Sequence, residues 1–220
     1  MTTADSPRTR VRRLPDRQVR DRSILDDLLD AVPYCHVGVS LPDGVHVLPM
    51  AHARDGDQIL LHGSTGSRLM RALAEGVPAC LTVTEVTGIV VARSGYESSM
   101  HYRSAMVYGT CSVIPRAEIE AAAARLTDAL IPGRVAEIRR PTARELAATM
   151  ILSLPLTEWA LKVGAKEHGD PPEDHGKGVW AGVVPLVRSA GPAVPADPES
   201  AGLPVPASVR ALIAGERTGP

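Results

Sequence analysis

The chain has 220 residues, 44% of them hydrophobic, and a formal net charge of -1. That length supports one sizeable domain with its own core, and the near-neutral charge excludes a protein that relies on bulk positive charge to hold nucleic acid. Phenylalanine is absent and the only aromatic residues are 2 Trp and 4 Tyr, so the core must be aliphatic and stacking platforms for single-stranded nucleic acid are scarce.

Residues 1–22 are polar, proline-punctuated and basic, with seven arginines between Arg8 and Arg22. Such an arm can touch an anionic partner, pack on a neighbouring subunit or remain a solvated tail. The first helix is predicted from about Asp21 to Val32, where Ile24, Leu25, Leu28, Leu29 and Val32 recur at helical spacing before Pro33 ends the run. Tyr34 to Ser40 reads as a strand, Pro42-Asp43-Gly44 as a hairpin turn, and Val45 to His52 as its partner. A second turn, Arg54 to Asp57, leads into the strand Ile59 to His62. Three strands joined by tight turns make an antiparallel meander. It runs straight into Gly63-Ser64-Thr65-Gly66, after which Ser67 opens a helix with Leu69, Ala72 and Leu73 on one face, stopped by Gly76 and Pro78.

This strand-turn-helix has two readings. A helix start offers unpaired backbone N–H groups, and here Ser and Thr hydroxyls and Arg68 join them, which is the chemistry of a phosphate site. The same residues also make a well-capped polar connection with no ligand.

Further on, Pro78 to Ala92 is long and β-branched with Gly88 as a bulge or bend, and Ser99 to Ile114 reads as another strand bending at Gly109. Two long bent strands suit a small closed barrel. Arg116 to Leu130 is helical and is broken by Pro132-Gly133. Thr142 followed by Glu145 predicts a capping box and a short helix. Met150 to Pro155, Glu158 to Val163 and Val179 to Val187 read as strands, with a polar loop from His168 to Lys177. Beyond Arg188 the Pro, Ala and Gly content predicts a tail that is disordered or draped over the surface, with Val209 to Ile213 as a docking helical turn. The resulting organisation is a basic arm over residues 1–22, a barrel domain over 23–188 and a Pro/Ala-rich tail over 189–220.

Cys35, Cys80 and Cys111 sit singly in apolar runs, which predicts buried thiols in a reducing compartment. No run reaches the roughly 18 apolar residues of a membrane span and no secretion signal opens the chain, so the protein is read as cytoplasmic, with no membrane partner. The 7 histidines do not make a metal site. Cys35 and His36 point to opposite faces of one strand, His36, His46, His52, His62 and His101 stand alone, and His168 and His175 lie in a solvated acidic loop. Gly63-Ser-Thr-Gly-Ser-Arg matches neither a nucleophile elbow, a P-loop nor the dinucleotide glycine pattern.

The arm Arg12-Arg13-Leu-Pro-Asp-Arg17, CHVGVS at 35–40, HVLPMAHARDGDQILLHGSTGSRLMRAL at 46–73, VARSGYESSMHYRSAMVYG at 91–109 and WAGVVPL at 180–186, in that order, resemble the flavin-nucleotide-binding branch of the pyridoxamine 5'-phosphate oxidase-like superfamily. The resemblance implies a mainly β fold with flanking helices, a six-stranded-type antiparallel split β-barrel forming a homodimer with FMN at the subunit interface. Carried over by position, it implies that the stretch His62 to Arg68, with His62 and Gly63 among the cofactor-binding residues, holds the FMN phosphate and ribityl chain, that Ser64, Ser67 and Arg68 bind the phosphate, that Pro49, Met50 and Ala51 run beside the isoalloxazine ring, and that Arg103 and Ser104 serve the site from the same or the partner chain. His62, at the strand end, is the candidate proton donor or substrate ligand. The implied activity is oxidation or reduction of a small molecule through flavin; the alternative is a split-barrel protein that carries flavin or haem without turnover. The chain is also similar to nitroimidazole-resistance flavoproteins, which share the strand-end His. It departs from true pyridoxamine phosphate oxidases in having no matching Arg and His after WAGVVPL.

Overall fold

A computed structural model describes residues 6–165 and 169–215. His168, part of the predicted polar loop, lies outside the described residues. After the two-residue strand β1 (Gln18–Val19), helix α1 (Arg22–Ala31) starts where the Asp21 carboxylate accepts the Ser23 N–H at 2.9 Å, and it buries Leu25, Leu28 and Leu29 on one face. Strand β2 (Tyr34–Leu41) turns Cys35, Val37 and Val39 into the core and Tyr34, His36 and Ser40 outward. A tight turn at Pro42-Asp43 gives the long strand β3 (Gly44–Asp55), and another at Gly56-Asp57 gives β4 (Gln58–Ser64). Ser67 caps helix α2 (Arg68–Ala74), its hydroxyl accepting the Met70 N–H.

Strands β5 (Ala79–Val91) and β6 (Ser99–Gly109) form a long ribbon with a register shift between Val86 and Gly88. Then come β7 (Ser112–Val113), α3 (Ile119–Leu130), α4 (Ala143–Ala148) with the Thr142–Glu145 capping box formed in both directions, β8 (Thr149–Pro155), β9 (Trp159–Gly164) and β10 (Gly182–Pro185). The strand order is β1-β9-β6-β5-β2-β3-β4-β8-β7, with β10 added to β5. It is an open path: the barrel is split, and among the described residues no ladder of hydrogen bonds closes it.

The split is made within single strands. Over Gly44 to Ala51, β3 pairs with β2; over His52 to Asp55 it pairs with β4. The change of partner at Ala51–His52 divides the sheet into two leaves that share β3. Helices α1 and α2 close the main core against the inward faces of both leaves, with Leu61, Leu81, Leu152 and Leu161 among its fully buried residues. A smaller cluster of Ala53, Leu60 and Ile151 lies under Ala122 and Leu126 of α3.

Two expectations are corrected. The run from Ser99 to Ile114 is not one bent strand: it breaks at Gly109, and β7 joins β8 in the other leaf. A Cβ at Gly109 would stand 3.1 Å from the Leu154 side chain, so the chain crosses between leaves at a tightly packed glycine. The last strand covers only Gly182 to Pro185, leaving Trp180 exposed. The basic arm carries a short strand and lies against the body. β1 pairs with β9, Thr9 is fully buried, and Arg8 pairs with Glu158 while lying 4.9 Å over the Tyr108 ring.

The tail is draped over the body and carries α5 (Pro198–Ala201) and α6 (Ala207–Ala214). α6 docks where Ser208 donates its N–H and hydroxyl to the Glu137 carboxylate at 3.0 and 2.5 Å. Those bonds hold the Glu137 pKa down to about 2. Ser208→Ala is expected to speed hydrogen exchange over residues 207–214 while leaving the protection of β5 and β6 unchanged; a uniform change across the protein would show that this contact does not act locally.

Candidate functional site

The two leaves part at a fork whose prongs are the stretches singled out in the sequence. The last rung between β3 and β4 is His52 opposite Leu61. Beyond it, Pro49, Met50 and Ala51 pair only with β2, and His62, Gly63 and Ser64 pair only with β8. Each prong therefore turns a strand edge without a ladder partner toward the gap between them. Met50 packs partly against the core, whereas Pro49 and His62 are exposed.

The helix that starts at the end of β4 is seated tightly. A Cβ on Gly63 would lie 2.6 Å from Cγ of Met70, a residue only 1% exposed. Only glycine lets α2 approach β4 this closely, and that approach fixes where Ser67 and Arg68 stand. The Ser64 hydroxyl accepts the Gly66 N–H at 3.1 Å and the Ser67 hydroxyl accepts the Met70 N–H at 3.4 Å. Both hydroxyl hydrogens remain available to donate. Arg68 reaches back to the tip of the β2–β3 hairpin, where Nη1 and Nη2 donate to the two carboxylate oxygens of Asp43, each at 2.7 Å. His46 Nε2 lies 3.1 Å from the same carboxylate. The Arg68 bonds, then the His46 bond, hold the Asp43 pKa well below the ordinary carboxylate range, and Asp43 in turn raises that of Arg68.

Arg103 and Ser104 do not join this group within one chain. Ser104 shares a hydrogen bond of 3.1 Å with Thr84, and Arg103 pairs with Glu85 at 2.7 Å. In the strand order they stand on β6, separated from β3 by β5 and β2. Asp43 and His46 are the site-adjacent residues that sequence reasoning missed. Their only signal is the Pro-Asp-Gly turn, which places a carboxylate at a hairpin tip but says nothing of Arg68.

Two cavities lie elsewhere. One of about 450 Å³ sits on the outer face of the sheet, lined by Arg8, His36, Gly38, Cys80, Thr82 and Tyr108 among others. The second, of about 990 Å³, lies between α1 and α3 beside the edge that β3 leaves free when β2 ends; His52, Arg54, Arg103 and Arg125 line it with Asp30 and Asp128. His52 is fully buried, with Nε2 bonded to the Leu29 carbonyl at 3.2 Å and Nδ1 without a partner. Burial lowers its pKa to about 4. Cys35 and Cys111 are buried, their thiols pushed up to about 12 and about 11 by desolvation, and Cys80 is half-buried. Among the described residues, no group of three or more His, Cys, Asp or Glu could hold a metal ion, and no helix is long and apolar enough to cross a membrane.

Comparison with known proteins agrees with this architecture. The family model described as pyridoxamine 5'-phosphate oxidase matches residues 21–163. The FAD and haem binding protein from Mycobacterium smegmatis is 44% identical, with a TM-score of 0.87, over 90% of this chain and 97% of that one. A flavocytochrome from Azotobacter vinelandii is 33% identical, also with a TM-score of 0.87, over 94% of this chain and 97% of that one. A putative 5-nitroimidazole antibiotic resistance protein from Bacteroides thetaiotaomicron, 18% identical with a TM-score of 0.56 over 66% of this chain and 86% of that one, shares the fold. A search of curated protein sequences gives no match. With the family model spanning α1 to β9 and relatives of this identity aligned over almost their whole length, the chain belongs to the pyridoxamine 5'-phosphate oxidase-like split-barrel family.

Proposed function

We propose that this protein binds a flavin nucleotide in the fork between its two leaves and works as a flavin-dependent oxidoreductase on a small molecule. The observation that carries the reading is the convergence of two unpaired strand edges, Pro49–Ala51 and His62–Ser64, on a mouth bounded by Ser64, Ser67 and Arg68. These residues suit the group. Ser64 and Ser67 keep hydroxyl hydrogens for phosphate oxygens, Arg68 supplies a planar cation, and the free edge of Met50 and Ala51 offers backbone donors and acceptors to a flat polar ring. When bound, flavin supplies the electron-transfer chemistry; the chain positions it and limits water. His62, exposed on the rim, is the side chain placed to hold or pass a proton. FMN fills this description, and FAD, which the Mycobacterium smegmatis protein is named for, presents the same proximal phosphate.

A homodimer completes the reading. The outward face of β2, β3 and β6 carries Tyr34, Val45, Val47 and Met106 at 45%, 77%, 60% and 42% exposure, an apolar surface suited to a second copy. In such a dimer Arg103 and Ser104 would serve the partner's fork. The three unpaired cysteines fit a reducing, cytoplasmic compartment. A second reading is a flavin and haem carrier without turnover, and the names of the Mycobacterium smegmatis FAD and haem binding protein and the Azotobacter vinelandii flavocytochrome favour its flavin and haem.

The absorbance spectrum of the purified protein, with mass spectrometry of the released ligand, tests both. Flavin bands are expected in the wild type and a loss of most of the bound flavin in Ser67→Ala/Arg68→Ala. A colourless protein that takes up no added flavin would overturn the proposal. A Soret band, with flavin that no electron donor reduces, would favour the carrier.

A further inference from the structure

Arg68 is a strong cation at the mouth of the fork, and its end-on pair of donors is already taken. The Asp43 carboxylate binds Nη1 and Nη2 at 2.7 Å each, in the bidentate geometry that a phosphate would use. His46 fixes that carboxylate from the other side at 3.1 Å. The hairpin tip is therefore a built-in anion standing where the cofactor's anion must come.

We propose that Asp43 sets the affinity and the phosphate preference of the flavin site by competing for Arg68 and by repelling the incoming charge. This rests on the fork being the flavin site. Two effects follow from the geometry. A phosphate that takes the guanidinium must displace Asp43 or share Arg68 with it, which costs every phosphate-bearing flavin the same ion pair. The carboxylate then stays nearby, because His46 and the tight turn hold it, and its repulsion scales with the charge brought in. A terminal phosphate monoester, as in FMN, carries about -1.5 to -2 at pH 7. The pyrophosphate of FAD carries one negative charge on each of its two phosphates, so only one of its charges sits on the proximal phosphate and the other lies one phosphate farther from Asp43. Asp43 therefore disfavours FMN more than FAD, and riboflavin, with no phosphate, is untouched.

The test is fluorescence titration of flavin-free full-length protein with FMN, FAD and riboflavin at pH 7.5 and fixed salt, for the wild type, Asp43→Asn, Arg68→Ala and the double variant. Asn suits the hairpin turn as well as Asp does, and Asp43→Ser serves as a second neutral replacement. Thermal unfolding of each variant identifies any that fold poorly. For Asp43→Asn, FMN affinity is expected to rise about tenfold and FAD affinity about threefold, with riboflavin unchanged. In the Arg68→Ala background the gain from losing the competing pair disappears.

Asp43→Asn and Asp43→Ser that leave FMN and FAD affinities unchanged, or weaken both, would overturn the proposal and show that Asp43 holds Arg68 in a binding posture. Equal gains for FMN and FAD would overturn the charge preference. The site reading fails separately: if Arg68→Ala binds FMN as tightly as the wild type, or the wild type binds no flavin, the phosphate is not at Arg68 and the role of Asp43 falls with it.

Discussion

Between pH 7 and pH 4 the protein is expected to lose roughly 3 kcal/mol of stability through His52 alone. This imidazole is 1% exposed and burial lowers its pKa from 6.5 to about 4, with the Leu29 carbonyl and Asp30 opposing the shift. Above pH 6.5 the group is neutral folded and unfolded, so its contribution is fully present. As the pH falls through 6.5 the unfolded chain takes up a proton that the fold refuses, and stability drops until about pH 4, where the folded imidazole titrates too. The depressed carboxylates overlap this window only at its lower end, below about pH 4.5. Glu137 and Glu158 sit at about 2 and Asp43 lower still, so their contributions are lost mainly below the ordinary carboxylate value of 4.5 or 3.8. Urea midpoints at pH 7 and pH 4.5 check the expectation, with His52→Gln as the control, which keeps a donor for the Leu29 carbonyl and removes the titration. A stability that is flat between those values, or equally steep in His52→Gln, would sink it.

The second large effect is expected at Gly63. Ala there puts a methyl group 2.6 Å from Met70 Cγ, too close to the backbone of a buried side chain for it to swing away cheaply. A cost of about 1 to 3 kcal/mol should follow from the forced separation of α2 and β4. The same displacement moves Ser67 and Arg68, so flavin retention should fall further than stability alone explains. The check is a double-mutant cycle with Met70→Ala, which opens a cavity where the new methyl group fits. The pair should be less destabilised than the sum of its members by at least about 1 kcal/mol. Additive costs would mean that the clash is relieved elsewhere and that Gly63 does not set the position of α2.

What the sequence made legible was mostly local. Leu25, Leu28 and Leu29 mark the buried face of α1, the Pro-Asp-Gly turn marks the first hairpin, and Thr142 with Glu145 marks the capping box, because each signal lies within a few residues of its effect. The strand-turn-helix at 59–76 was legible for the same reason, down to Ser67 as the cap. Partner exchange was not. Nothing within β3 marks Ala51–His52 as the place where β2 is traded for β4, since that depends on strands brought together from distant parts of the chain. Gly109 announced a bend but not that the chain crosses to the other leaf, and the run Val209 to Ile213 marked the helical turn that α6 extends but not its docking partner Glu137, 71 residues earlier. The Asp43–Arg68 pair spans 25 residues and two elements, so the phosphate turn could be read while the carboxylate facing it could not.

The change of partner within β3 also bears on how the protein is made. The two leaves meet along one strand, and the gap between the prongs is crossed by no strand pairing. A prosthetic group entering there breaks no ladder bond and needs no unfolding of its host. With the flavin in the fork as proposed, translation and collapse of the chain can be finished first, and cofactor loading is a late and reversible step.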